Sequence, residues 1–310
     1  MMVFGIDPIV LIASLMAAST PILLAAIGEL VVEKTGVLNL GVEGMMITGA
    51  VCGFIVTMET GSPGAGFVAA AVGSALLSLI FAVLTQVFLA NQVATGLALT
   101  LFGLGLSALM GQSYVGLKSP SFPAVNFGPL ADIPVIGPIL FNHDPMVYVA
   151  LLTVVGVWAV LRYSRLGLIL RAVGENHDAA HALGYKVVRI RILAIMFGGA
   201  CAGMGGAYLS LVRVHQWVEG MTAGAGWIAL AIVVFASWRA GRVLLGAYLF
   251  GGVTLLQLNL QAAGSNFPVQ YLSMSPYLIT ILVLVLMSAG RRRNALHAPG
   301  SLGRVFHASS

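Results

Sequence analysis

Long apolar runs separated by short polar stretches dominate the sequence. We predict nine apolar segments, at residues 9–31, 42–58, 66–90, 92–111, 146–161, 192–212, 226–238, 243–263 and 276–290. A helix needs about 20 apolar residues to cross a bilayer, so most of these segments are predicted membrane spans. Three are short (42–58, 226–238 and 276–290), which leaves room for broken or re-entrant helices. We therefore predict an all-α polytopic transmembrane bundle of about eight to ten spans.

Two interruptions in this pattern predict breaks. Asn91 and Gln92 divide an apolar run from 66 to 111 that is too long for one span, which indicates two helices joined by a tight turn. The stretch 36–44 holds three glycines together with Asn39 and Glu43, between two apolar runs. Irregular backbone at membrane depth is tolerated only where protein or a water-filled cavity covers it, so this stretch is a candidate broken segment.

Composition supports a membrane location. Only 8% of the residues are charged and the mean hydropathy is +1.00, whereas soluble domains carry about 25% charged residues. So few charges cannot form a water-facing surface, and lipid must therefore cover most of the surface of the protein. Cys52 and Cys201 lie in separate apolar stretches, and we interpret them as small core residues rather than as a disulfide or metal pair.

The basic residues predict the orientation. Thirteen of the 15 fall at Lys34, in the loop 162–191, at Arg239 and Arg242, and in the C-terminal tail, and alternating crossings place all of them on one face. The positive-inside rule makes that face cytoplasmic. We therefore expect a transmembrane domain over 1–290 and a cytoplasmic tail over 291–310, in a bacterial plasma (inner) membrane. The proline-rich segment 112–145 then lies outside, either as a docking surface or as a passive connector.

The loop 162–191, called the basic loop below, carries a predicted short helix. Asn176 is a good N-cap, and Gly184 is a natural left-handed stop. His177 to Leu183 can form about two helical turns, with Ala179, Ala180 and Leu183 as a small apolar face. Such a helix suits a groove on another protein, although a solvated loop fits the same residues.

The stretch 198–207 is rich in glycine and alanine. It contains small-xxx-small spacings such as Gly199/Gly203 and Ala202/Gly206, which let helix backbones approach closely in lipid. We predict a tightly packed helix here.

Several kinds of chemistry are missing from the sequence. The candidates for an intramembrane carboxylate relay are Glu29, Glu33 and Glu43, clustered at one edge, which weakens the case for an ion-coupled secondary transporter working alone. The dipeptide Gly-Lys never occurs, so the chain has no P-loop and any ATPase is another polypeptide. His177 and His181 lack the glutamate of a zinc-binding H-E-x-x-H motif. We expect no catalytic residues, cofactor or metal, and an integral membrane enzyme is disfavoured.

Two motifs resemble one known family. The run from Gly28 to Met46, with Gly-Val-Leu-Asn-Leu-Gly-Val-Glu-Gly at its centre, is similar to the hallmark segment of the ABC importer permeases for branched-chain amino acids, simple sugars and nucleosides. The run from Leu170 to Gly184 resembles the loop with which these permeases contact their ATPase. His177 stands where the family usually has proline, which affects only the start of the helix.

The resemblance implies a type II ABC importer-like permease. It implies a homo- or heterodimer of permeases, ABC ATPase subunits beneath it, an extracytoplasmic substrate-binding protein, surrounding lipid and no nucleic acid. A nucleoside is the predicted solute, and a simple sugar or branched-chain amino acid is the alternative. The implied ATPase-coupling residues are Gly174, Glu175, Asn176, Ala179, Ala180, Leu183 and Gly184. Candidates for lining the translocation path are Asn39, Glu43, Gln257 and Asn259, which local backbone or helix–helix hydrogen bonds would explain equally well.

Overall fold

The computed structural model describes residues 8–125, 127–262 and 298–307, with short stretches at 270–271, 274–275, 278–279, 281–282 and 285. Most of the predicted segment 276–290 and the start of the predicted tail lie outside the described residues.

The described residues form helices joined by turns, with no β-strand among them beyond two isolated bridges. The α-helices are α1 (Pro8–Lys34), α2 (Val42–Thr60), α3 (Pro63–Ala82), α4 (Gln92–Gly111), α5 (Ile136–Leu140), α6 (Pro145–Tyr163), α7 (Arg165–Glu175), α8 (His177–Ala182), α9 (Val187–Tyr208), α10 (Ala225–Phe235) and α11 (Ala240–Ala262). Seven helical segments are long and apolar enough to cross a membrane: those of α1, α2, α3, α4, α6, α9 and α11. The prediction of an all-α polytopic bundle is confirmed.

Helix α9 lies at the centre of the bundle, packed on α1, α2 and α3. Its small residues make this possible, as predicted from the glycine and alanine spacing. A Cβ added at Gly203 would overlap α3 at Ala70 and Ser74, and one at Gly206 would overlap the backbone of α2 at Met46. In lipid, such close approach supplies the packing energy that water expulsion supplies elsewhere.

The break predicted at Asn91 and Gln92 is confirmed. Helix α3 continues as a π-helical turn, Val83–Val87, and α4 begins at Gln92. The side chain of Asn91 caps α4 by accepting a hydrogen bond from the amide of Ala94 at 3.0 Å.

A second break separates α1 from α2, within the predicted stretch 36–44. Residues 35–41, called the α1–α2 turn below, leave the helical conformation, and Gly36 has φ +85°. Glu43 and Gly44 already belong to the first turn of α2. The carbonyl of Leu40 accepts from the Thr100 hydroxyl at 3.1 Å, so α4 covers this irregular backbone inside the protein.

Helix α10 is a half-helix. Its 11 residues span about 16 Å, which is too short for a hydrocarbon core of about 30 Å. The preceding segment 214–224 is irregular apart from a bridge at 216–217 and turns. The segment 226–238, predicted to be short, therefore holds a helix that is too short to cross the membrane.

The proline-rich segment 112–145 forms short turns and α5 rather than a continuous helix, as predicted. Two isolated bridges, Val115 to Trp217 and Lys118 to Gln216, join it to the irregular segment before α10. The Tyr208 hydroxyl of α9 donates to the Asp144 carboxylate at 2.7 Å. That the segment 112–145 is a docking surface, or instead a passive connector, stays a prediction.

Candidate functional site

Helices α7 and α8 form the predicted coupling region. The Asn176 side chain accepts a hydrogen bond from the amide of Ala179 at 3.0 Å, which confirms Asn176 as the N-cap of α8. Gly184 has φ +88°, and its amide donates to the His181 carbonyl at 2.8 Å, which confirms the left-handed stop. The basic loop thus presents a short helix with both ends fixed.

The predicted apolar face of α8 is divided between two sides. Ala180 is only 2% exposed and packs in a small cluster with Val173, Val187 and Phe306. Leu183 is 76% exposed, and Ala179 is also exposed. The single face proposed for Ala179, Ala180 and Leu183 is therefore wrong, because Ala180 is buried in this cluster while the other two side chains are exposed. Of the three, only Ala179 and Leu183 face outward.

Gly174 joins the basic loop to α1. A Cβ at this position would overlap the carbonyl of Lys34 and approach the amide of Gly36. Glycine is therefore required where the end of α7 crosses the end of α1. Glu175, the next residue, is exposed. The coupling region thus lies directly against the α1–α2 turn.

Arg191 is a buried hub beneath this crossing. Its side chain is 0% exposed and donates from Nε to the Thr35 carbonyl at 3.0 Å, and from Nη1 to the Arg304 carbonyl at 3.3 Å. A further contact at 3.1 Å joins Nη2 to Nδ1 of His177. Among the described residues no carboxylate forms an ion pair with Arg191, so carbonyl oxygens compensate the buried charge.

His177 is the titratable member of this group. Burial lowers its pKa below the ordinary value, and the neighbouring charges of Arg191 and Arg304 lower it further, while Asp178 opposes them. In the neutral tautomer that carries its proton on Nε2, the ring keeps a lone pair on Nδ1 for the Arg191 guanidinium to bond, and protonation of Nδ1 would remove that acceptor.

The path candidates on the α1–α2 turn are engaged within the protein. Asn39 donates to the Glu29 carboxylate at 3.3 Å and accepts from the Gly41 amide at 3.0 Å. Glu43 accepts three hydrogen bonds, from the Thr222 hydroxyl at 2.5 Å and from the amides of Gly224 at 2.9 Å and Gly226 at 2.7 Å.

The three bonds to Glu43 occupy the N-terminal end of α10. The first amides of a helix have no partner within it, and the partial positive charge of that end favours a carboxylate. Glu43 of α2 therefore fixes the start of the half-helix. Gln257 and Asn259 lie elsewhere, half-buried on α11.

Sequence reasoning missed the partners that assemble this region. The sequence pattern marks Arg191 only as a basic residue of the loop and Phe306 only as part of a tail. A charge placed within an apolar helix is a usable signal for Arg191. Nothing local signals a contact between residues more than 100 positions apart. Within the described residues no three His, Cys, Asp or Glu side chains lie close enough to share a metal ion.

The fold and this site define a multi-pass helical membrane protein with a capped loop helix set against a broken span. The family described as the permease component of branched-chain amino acid transport systems matches residues 11–287. The chain belongs to this family. It is a transport subunit rather than an enzyme, and ATP hydrolysis belongs to a separate subunit.

Three relatives match along most of their length. A protein of Haloferax volcanii with the provisional name glucose ABC transporter permease protein TsgC13 is 44% identical, over 86% of this chain and 88% of the relative. The guanosine ABC transporter permease protein NupQ of Bacillus subtilis is 30% identical, over 89% and 91%. The nucleoside ABC transporter permease protein NupC of Lactococcus lactis is 31% identical, over 89% and 92%.

The first two organisms each have a second permease, TsgB13 and NupP, that matches at 24% identity. No solved structure matches the chain.

Proposed function

We propose that the chain forms the translocation path of an ABC importer for a nucleoside, with α8 as the contact for its ATPase. The observation that carries the coupling role is the division of α8 into two sides. Its outer side exposes Leu183, while on its inner side His177 contacts Arg191, which donates to the Thr35 carbonyl of the α1–α2 turn. A contact received outside can therefore act on the membrane helices.

The motif from Gly28 to Met46 and the two relatives named for guanosine and nucleoside transport support a nucleoside. A simple sugar is the second candidate, because the 44% identity to the glucose-named protein favours it. Uptake of labelled guanosine and labelled glucose, in cells that express the whole transport system with and without this chain, separates the two. Uptake of neither would contradict both assignments.

We infer that the partners are an ABC ATPase, a second permease and an extracytoplasmic substrate-binding protein. The two pairs of related permeases, each with one member closer to this chain, favour a heterodimer. Lipid would cover the exposed apolar side chains, including an apolar groove of about 580 Å³ lined by Val157, Leu166 and Phe197 among others.

We infer that the basic loop and the C-terminus face the cytoplasm of a bacterial plasma (inner) membrane. The charge distribution supports this orientation. It is also supported by residues 298–307, which contact the basic loop and the end of α1 and so place the three segments on one side.

We propose that Asn39 and Glu43 serve the path by holding the α1–α2 turn and the start of α10 in place. Their hydrogen-bonding groups already bond protein partners, which leaves them poorly suited to binding a solute directly. Gln257 and Asn259, half-buried on α11, stay candidates for lining the path.

The coupling role is tested by co-purification. Leu183→Arg places a charge on the exposed side of α8 and should release the ATPase subunit from the detergent-solubilised complex. Leu117→Arg makes the same change at an exposed position of the segment 112–145 and should leave the ATPase bound. An ATPase that stays bound to Leu183→Arg would contradict the proposed contact.

A further inference from the structure

Residues 298–307, called the terminal strap below, connect two parts of the molecule. The Ser301 amide donates to the Gly174 carbonyl of α7 at 2.8 Å. The Gly303 amide donates to the Gly36 carbonyl of the α1–α2 turn at 3.1 Å. These two hydrogen bonds, donated by strap residues two positions apart, therefore join the basic loop to the α1–α2 turn.

Ser301 also holds the start of α8. Its hydroxyl accepts a hydrogen bond from the His177 amide at 3.3 Å and lies 3.3 Å from the Glu175 carbonyl, to which it can donate. The first amides of a helix lack partners within the helix, so this contact supplements the Asn176 cap. Ser301 is only 4% exposed, which keeps water from competing.

Phe306 fills the space beneath α8. It is 5% exposed, and its ring centroid lies 5.3 Å from those of both His177 and His181. It packs in the same cluster as Ala180. Aromatic contacts of this kind add to the burial of the ring itself.

Arg304 gives the strap a second connection to the α1–α2 turn. Its carbonyl accepts from Arg191 at 3.3 Å and from the Gln92 side chain at 3.4 Å. Gln92 in turn accepts from the Leu38 amide at 2.8 Å. The strap therefore reaches the turn at two points, at Gly36 directly and at Leu38 through Gln92.

We propose that the terminal strap transmits the movement of α8 to the α1–α2 turn, with Ser301 and Phe306 as its positioning residues. The proposal rests on the ATPase-coupling role proposed above. Helix α8 has only six residues, and so short a helix has little stability of its own. Without the strap, movement of the ATPase against Leu183 would displace α8 alone and leave the α1–α2 turn in place. With it, α8 and the turn move as one unit.

The first test measures hydrogen–deuterium exchange in the full-length chain in detergent. Phe306→Ala and Ser301→Ala should each increase exchange of the amides of residues 177–183, by about tenfold for Phe306→Ala. His307→Ala, at an exposed position of the same strap, is the matched control and should not change it. Phe306→Leu keeps most of the apolar volume and should restore protection. Unchanged exchange in Phe306→Ala would overturn the proposal.

The second test separates transmission from simple stabilisation. In the complex with its ATPase, trapping by ATP and vanadate should change exchange in both 177–183 and 36–41 of the wild type. In Phe306→Ala the ATPase should remain bound and the change at 177–183 should persist, while the change at 36–41 is lost. A change at 36–41 that persists in Phe306→Ala, or that is missing in the wild type, overturns the proposal. So does loss of the ATPase from this variant, because the strap would then serve docking.

Failure of the coupling role gives a different result. If Leu183→Arg retains the ATPase and nucleotide leaves residues 177–183 unchanged, α8 is not the contact and the transmission proposal falls with it. If Leu183→Arg releases the ATPase while Phe306→Ala transmits normally, only the strap proposal fails.

Discussion

Glu43→Gln tests how the half-helix α10 is held. The carboxylate accepts from Thr222 and from the amides of Gly224 and Gly226. Glutamine has nearly the same shape but offers one oxygen and one NH₂ group. If its oxygen keeps the bonds from Thr222 and Gly224, its NH₂ group faces the amide of Gly226. The hydrogen bond from Gly226 is then lost, and two buried N–H donors face each other. A hydrogen bond to a charged group contributes about 1.5–3 kcal/mol, and an unsatisfied buried donor costs about 1–3 kcal/mol.

We therefore expect Glu43→Gln to destabilise the protein by about 2–4 kcal/mol. At about 2–4 °C per kcal/mol this lowers the melting temperature in detergent by about 5 °C or more. The assay is thermal unfolding of the purified chain, followed by tryptophan fluorescence, with Trp227 inside α10 as one reporter.

Glu59→Gln is the matched control. Glu59 is also a carboxylate and accepts a hydrogen bond from the Tyr114 hydroxyl at 2.7 Å, but it is exposed. Exposed polar contacts contribute less than about 1 kcal/mol. A melting temperature of Glu43→Gln that matches that of Glu59→Gln would refute the view that Glu43 anchors α10.

Three further predictions concern packing, the buried hub and pH. Gly203→Val should prevent recovery of a monodisperse protein on size-exclusion chromatography, because a Cβ added at this position overlaps α3. Gly105→Val is the control and should behave as the wild type, because a Cβ added at Gly105 meets open space. Arg191→Met should lower the melting temperature of the chain, because it leaves the Thr35 carbonyl without its buried donor; a melting temperature equal to that of the wild type would contradict this. The lowered pKa of His177 means that the folded loop binds fewer protons than the unfolded one just below pH 6.5. The stability that this residue contributes is therefore complete above about pH 6.5 and is lost as the pH falls through the lower pKa of His177 in the folded protein. Hydrogen-exchange protection factors of the α8 amides should therefore decrease between about pH 7.5 and 5.5. His177→Gln should flatten that pH dependence.

Features with local causes could be predicted from the sequence. Apolar runs located the spans, because a bilayer imposes both their length and their internal hydrogen bonding. Asn91 and Asn176 were predictable as helix starts, since a cap depends on residues three positions away. The close packing of α9 followed from glycine and alanine spacing along one helix face.

Features that depend on distant partners could not be predicted. Glu43 bonds to residues about 180 positions away, and nothing near it in sequence shows that it caps α10 rather than facing a solute. The predicted apolar face is wrong at Ala180, because helical spacing defines a face but not which neighbour covers it. The neighbour that covers Ala180 is Phe306, 126 positions further along the chain.

The two sides of α8 provide the most direct test of the account. A chain with Cys52 and Cys201 changed to alanine would carry a single new cysteine, at Leu183 or at Ala180, and be treated with a bifunctional thiol cross-linker in the complex with its ATPase. Because Leu183 is 76% exposed and Ala180 is 2% exposed, Leu183→Cys should cross-link to the ATPase subunit and Ala180→Cys should not. Cross-linking from Ala180→Cys alone, or from neither position, would contradict the claim that the outer side of α8 receives the ATPase.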